Sequence, residues 1–86
     1  MKVLHLVREL GDDRAISTLL RQCEEGHEIT VVLLHDAVLD QLKEEGCRVL
    51  ACEDDVRARG GRAGWPTVDY EGVVRLLFEA DRVICW

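Results

Sequence analysis

The chain has 86 residues, 48% of them hydrophobic, and seventeen acidic residues against eleven basic ones give a formal net charge of −6. That length holds one domain, 1–86, whose core buries only about 60–65% of the surface its unfolded chain exposes; the apolar content excludes a disordered chain, and the charge argues against direct nucleic-acid binding. No apolar run approaches the ~20 residues that span a bilayer, and so much apolar surface on so small a chain predicts partner subunits.

The chain opens MKVLHLV and continues RELGDDR, an acidic turn where a signal peptide would carry small residues for cleavage. The reading is therefore a cytoplasmic protein whose four cysteines are reduced thiols. Lys2–Val7 is a short apolar run rich in branched residues, a buried strand. Asp12 or Asp13 caps a helix in which Ile16, Leu19, Leu20 and Cys23 recur at i, i+3, i+4 and i+7 and form one buried face. Gly26 closes it as a left-handed residue. EITVVLL, residues 28–34, is a second buried strand; HDAVLDQLKEEG, residues 35–46, predicts a helix capped by Asp36 and closed by Gly46.

CRVLAC, Cys47–Cys52, is a third strand, and residues 53–59 form a short helix or turn. GGRAGWP is a loop that Thr67 and Val68 extend. Asp69 caps a last helix whose core face is Val73, Leu76, Leu77 and Ala80, and RVICW is the final strand. Helices alternate with strands that are apolar throughout. This pattern predicts an α/β fold, a parallel four-stranded sheet with right-handed crossovers lying between helix layers.

DDVRARGG, residues 54–61, sets two arginines in an acidic chain just ahead of a glycine pair and a third arginine, Arg62. Cations and a following glycine are what a helix C-terminus prefers, each preference worth about 0.3–1 kcal/mol. A phosphate loop would instead join a strand to a helix N-terminus as GxGxxG or with GK[ST], and neither pattern occurs. An anion- or nucleotide-binding module built on Arg57, Arg59 and Arg62 is the third of three functional readings, because the helix end there has the wrong polarity.

The order of residues around this stretch is similar to that of a known family. DVRARG (residues 55–60), a loop, VDYEGVVRLL (residues 68–77) and Trp86 follow one another as they do in the DsrH/TusB family of sulfur-relay subunits. The Leu4-His5 and Glu25-Gly26 pairs and an apolar strand followed by Asp36 extend the resemblance over essentially the whole chain. It implies a small flavodoxin-like, three-layer α/β domain of the DsrE superfamily. It also implies work beside DsrE/TusD-like and DsrF/TusC-like subunits in a complex that passes persulfide sulfur toward 2-thiolation of the tRNA wobble uridine or into dissimilatory sulfur metabolism. The main persulfide cysteine of such complexes belongs to the DsrE/TusD-type subunit, so this chain is expected to be an accessory, largely architectural member without a cofactor. Arg59, Tyr70 and Trp86 are expected at interfaces, Trp86 as an anchor. The second reading is a stand-alone homo-oligomeric protein that carries thiol or persulfide sulfur itself.

Two cysteines are candidate functional thiols. Cys52 stands at the carboxyl end of a strand, where open α/β sheets place their sites. A helix N-terminus beyond it would lower its pKa and Glu53, Asp54 and Asp55 would raise it; the two effects oppose and the sequence leaves their balance open. Cys23 completes an apolar stripe, the setting of a buried structural thiol, yet some DsrH proteins carry a relay cysteine one turn earlier, at the position of Leu20. Cys47 and Cys52 are about 16 Å apart along one strand and cannot form a disulfide. Cys85 is expected to pack in the last strand. His35 shares the expected edge with Cys52, either as a catalytic couple or as a residue near a helix cap. Cys23 and His27 do not make a metal site, since Gly26 interrupts the helix between them.

Overall fold

The structure, a computed structural model, describes residues 1–39, 46–61 and 64–86. Among them the chain runs β1 (Lys2–Val7), α1 (Asp13–Glu24), β2 (Glu28–Leu33), a 3₁₀ segment (His35–Leu39), β3 (Cys47–Cys52), α2 (Glu53–Ala58), β4 (Thr67–Val68), α3 (Tyr70–Glu79) and β5 (Arg82–Cys85). The strands form one all-parallel sheet in the order β4-β3-β2-β1-β5.

Local chemistry sets the helix ends. Asp12 accepts a hydrogen bond from the Ala15 N–H at 3.1 Å, and Asp69 accepts one from the Gly72 N–H at 2.8 Å, so each satisfies an N–H that its helix cannot. Gly26, at φ +86°, closes α1: its N–H reaches the Cys23 carbonyl and the His27 N–H reaches the Gln22 carbonyl, the paired bonds of a Schellman motif.

The sequence predicts four strands and the sheet has five. The added strand, Thr67–Val68, pairs Ala51 with Thr67 and Cys52 with Val68, and the Ala51 N–H donates to the Pro66 carbonyl. Two residues behind a proline carry no readable period; the free edge of β3 makes them a strand. Asp36 is also placed differently from its expected role. Its carboxylate binds Arg59, and the Ala37 N–H bonds the Leu34 carbonyl instead. The remainder of the helix expected over residues 35–46 falls on residues 40–45, outside those described.

Register stacks the apolar rows. Val3, Ile29 and Cys47 lie side by side, as do Val7, Leu33 and Ala51, with His5, Val31 and Val49 between them. These rows face Ala15 and Leu19 of α1, Ala37 and Val38 of the 3₁₀ segment, and Val56 of α2, in one continuous core. The opposite face carries Leu4, Val32, Leu50 and Cys52, all buried.

Chain direction decides what covers that second face. From β1 to β4 each connection steps the same way across the sheet; from β4 to β5 the chain returns over its full width. With right-handed crossovers the returning α3 lies on the face opposite α1. It touches β4 at one end and β1 at the other. Val73, Leu76 and Ala80 turn partly inward, but Leu77, predicted on the core face, is 38% exposed, and no residue of α3 is fully buried. One ten-residue helix across a five-stranded sheet cannot bury both of its apolar flanks.

Gly72 marks where α3 sits tightest. A Cβ there would collide with the Val68 Cγ2 and press on the Asp69 cap. Gly72→Ala therefore sets a helix-propensity gain of about 1 kcal/mol against an overpacking cost of about 1–3 kcal/mol at a stiff β-branched neighbour. The expected result is a lower urea midpoint than wild type; a higher midpoint would show that α3 lifts freely from β4.

Candidate functional site

The carboxyl edge of the sheet gathers the polar chemistry. β3 ends at Cys52, which is also the residue that begins α2, and α2 then presents Glu53, Asp54 and Asp55 in its first turn. β2 delivers His35 and Asp36 to the same edge. Asp55 is the hub. One carboxylate oxygen accepts the His35 backbone N–H at 2.9 Å, and the other lies 3.7 Å from Nη1 of Arg59. Arg59 donates from Nη1 to the Asp55 carbonyl at 3.1 Å and from Nε to Asp36 at 3.0 Å. The bond to Asp55 holds His35 in the left-handed region at φ +50°, which a non-glycine residue rarely adopts.

This geometry explains the arginine-rich stretch. Arg57 pairs with Glu53 at 2.9 Å, one helical turn back, and Arg59 ties α2 to the 3₁₀ segment. Gly60 and Gly61 follow in left-handed conformations. Both arginines answer carboxylates of their own chain, as a helix end requires. Arg62 lies outside the described residues.

Cys52 is 1% exposed. Burial raises its thiol pKa above the ordinary value, and the carboxylate of Asp55, as hydrogen-bond partner and as neighbouring charge, raises it further; the backbone N–H groups of Asp55 and Asp54 pull the other way and lose. The balance left open by the sequence thus falls to the protonated thiol. Tyr70, the first residue of α3, stands 62% exposed near this edge, and its phenol is raised by the charge of Cys52 first and by Asp54 and Asp55 after it. The edge is a region of negative potential.

The other expected residues scatter. Cys23 is half-buried on α1 and lines a small hollow of about 260 Å³ with Leu20, Glu24 and Gly46. Gly46 precedes β3, so Cys23 sits at the amino edge of the sheet, a full strand of about 16 Å from Cys52. No relay joins them directly. Cys85, expected to pack, is exposed because β5 is an edge strand. His35 meets Asp55 through its backbone, and no His35–Cys52 bond forms among the described residues. Among those residues no cluster of three or more His, Cys, Asp or Glu could hold a metal ion, and no helix is long and apolar enough to cross a membrane.

Trp86 has an intrachain partner that sequence reasoning missed. β5 lies beside β1, and the Trp86 N–H continues that ladder to the Leu6 carbonyl. The indole Nε1–H donates to Nδ1 of the fully buried His5 at 3.0 Å, while Nε2 of His5 lies 2.6 Å from Oε1 of Gln22. Because Nδ1 accepts, the Nε2–H must donate to Gln22, and the imidazole is neutral. Burial lowers the His5 pKa below 6.5, with the Gln22 bond acting weakly in the other direction. Arg8 donates from Nε to the Trp86 carbonyl at 3.1 Å. Strand adjacency alone brings residues 5 and 86 together, and no local pattern announces it.

Two outcomes follow from these environments. Asp55→Asn keeps the shape but removes the charge that raises Cys52, so its thiol pKa should fall, read by ultraviolet thiolate absorbance in a variant in which the other three cysteines are serine; an unchanged pKa would mean that burial alone governs the thiol. Between the folded His5 pKa and 6.5 the unfolded chain binds the extra proton. The His5 contribution is therefore complete above pH 6.5 and is lost as pH falls through that window, by up to about 1.4 kcal/mol per pH unit. Urea midpoints measured from pH 7.5 downward should begin to drop near 6.5, and a flat profile to well below that would contradict the burial.

No protein-family model and no curated protein matches the chain, so the chemistry of this edge is read from its own residues.

Proposed function

We propose that the chain is an accessory subunit of a sulfur-relay complex, holding its partners in place while another subunit carries the persulfide. The reading joins the family resemblance of the sequence to one structural observation: Cys52, the thiol between β3 and α2, is 1% exposed and held protonated. In persulfide transfer an acceptor thiolate attacks the outer, sulfane sulfur of a donor persulfide. The donor S–S bond breaks, the donor leaves as a thiolate, and the acceptor becomes the persulfide, with no net oxidation. Such an acceptor must be reachable and anionic. Cys52 is neither, so in this reading the main carrier is a cysteine of a DsrE/TusD-like subunit.

The five-stranded parallel sheet with α3 returning over one face suits a flavodoxin-like domain, and the resemblance places a DsrF/TusC-like subunit in the same assembly. Arg59, clamped between Asp36 and Asp55, serves to stiffen the edge. Tyr70, exposed beside it, is free to meet a partner. The sulfur passes onward to tRNA thiolation or to dissimilatory sulfur metabolism, according to the acceptor that the partners engage.

Co-expression with DsrE/TusD-like and DsrF/TusC-like subunits should give one complex. After exposure to a persulfide donor, mass spectrometry should find the added sulfur on a partner cysteine, and Cys52→Ser should leave transfer unchanged. If no complex forms, the subunit reading fails. Sulfur gained by Cys52 or Cys23 in the isolated chain would favour the stand-alone homo-oligomeric carrier in its place.

A further inference from the structure

We infer that His5 and Trp86 form an acid-operated latch: a proton taken up at Nδ1 of His5 expels the indole and frees the carboxyl end of β5, while the rest of the sheet stays paired. The indole Nε1–H can only donate, so Nδ1 must be a bare lone pair for the 3.0 Å bond to exist. The two rings lie 8° from parallel with centroids 6.2 Å apart, which aims the N–H along the plane of that lone pair. Nε2 then carries the one ring proton and gives it to Gln22 at 2.6 Å. A second proton has one place to go, Nδ1. It turns the bond into two donors facing each other and sets a charge on a fully buried side chain. The Gln22 bond is unchanged by that step; the Trp86 bond is the one that is lost.

Topology decides which wall around His5 gives way. β2 is hydrogen-bonded to a strand on each side, and α1 is capped and sends Leu19 into the core. β5 is four residues long, has β1 as its one neighbour in the sheet, and leaves Arg82, Val83 and Cys85 exposed. Its two ends are held separately. Asp81 is clasped twice to Lys2, by its N–H and by its carboxylate, each at 2.8 Å, and neither bond involves His5. The other end rests on Trp86: its N–H on the Leu6 carbonyl at 2.9 Å, its carbonyl on the exposed Arg8 at 3.1 Å, and its indole on His5. Asp81 is therefore the hinge and Trp86 the moving end, and opening lets water reach the imidazolium. No carboxylate offers to hold the proton inside instead. The titratable groups on the elements packed around the ring are Lys2 and Arg8 on β1, Arg21, Cys23, Glu24 and Glu25 beside Gln22 on α1, Glu28 on β2, and Arg82 and Cys85 on β5. None of them bonds a ring nitrogen, Arg21 and Glu25 face each other at 3.7 Å, and all but the half-buried Cys23 are exposed. The latch is closed while His5 is neutral and opens as pH falls through its folded pKa, which burial holds below 6.5.

The inference does not depend on the sulfur-relay reading, and it is tested by nitrogen-15 NMR of the full chain from about pH 7.5 to about pH 5. At the upper end the His5 ring should show the Nε2–H form. As the ring takes its second proton, the Trp86 indole N–H, assigned by its absence in Trp86→Phe, should exchange with water about tenfold faster or more. The amides of Cys85 and Trp86 should lose protection with it, while those of Val31 and Val32 in β2 and the indole of Trp65 should not change. His5→Asn keeps an acceptor where Nδ1 lay and takes up no proton, so it should abolish this response. Trp86→Phe removes the donor that keeps Nδ1 bare, so His5 in that variant should bind its proton about fivefold more tightly, the worth of one hydrogen bond. Should His5→Asn fail to fold, the Trp86→Phe titration decides alone. A His5 titration that Trp86→Phe leaves unchanged overturns the inference, as does a pH response that persists in His5→Asn. So does an indole that stays protected once His5 is protonated, a loss of protection in all strands together, or a ring that stays neutral until the whole chain unfolds.

Discussion

β1 is hydrogen-bonded to a parallel neighbour on each side, and most of the molecule's properties trace to that double pairing. β2 follows directly through α1, but β5 reaches the other side of β1 only after the chain has stepped outward to β4 and come back. A return in the opposite sense, kept right-handed, puts its helix on the opposite face. Among the described elements, the sheet therefore has α1, the 3₁₀ segment and α2 on one side and α3 on the other. Clasps at both ends hold the β1–β5 pair: the Lys2 N–H donates to the Asp81 carboxylate at 2.8 Å, and the Asp81 N–H donates to the Lys2 carbonyl at 2.8 Å. At the far end Trp86 bonds Leu6 and His5.

The division of labour between the two faces has an energetic reason. A parallel sheet needs both faces out of water. On the α1 side, small residues let helices approach closely, with Ala15, Ala37 and Ala51 fully buried. On the α3 side one helix spans the distance from β4 to β1, and its width decides how much apolar surface remains. The inward side chains, Val73, Leu76 and Ala80, are only half-buried, and the outward ones carry the aromatic and aliphatic surplus. On this face Cys52 is buried, while Tyr70 and Phe78 stay in solvent. Cys52 at the carboxyl edge is shielded, and the neighbouring helix is open.

Charge acts on Cys52 in the same sense as burial. The edge collects Asp36, Asp54, Asp55 and Glu53 around two arginines that are already engaged. A thiolate placed there would face both desolvation and like charge, which is why the N–H groups at the start of α2 do not prevail. Among the described residues His5 is the buried polar side chain, and Gln22 and Trp86 satisfy both of its ring nitrogens. It trades a neutral, two-bonded imidazole for sensitivity to acid.

What the sequence determined by itself was everything governed by short-range physics. The spans of β1 and β3, a cap at Asp12 or Asp13 and one at Asp69, the glycine stop at Gly26, the parallel α/β class and the nature of the arginine stretch as a helix end all follow from periods and preferences within a turn or two of chain. The candidate site was legible only as a position, Cys52 at a strand end. Tertiary structure decided the rest: that Thr67–Val68 becomes a strand, that β5 lies beside β1 so that Trp86 meets His5, that Arg59 answers Asp36 and Asp55, that Cys52 is buried and protonated, and that Leu77 turns outward with Phe78. Most of these depend on which elements become neighbours far along the chain, 23 residues for Arg59 and Asp36 and 81 for Trp86 and His5, and no local pattern carries that information.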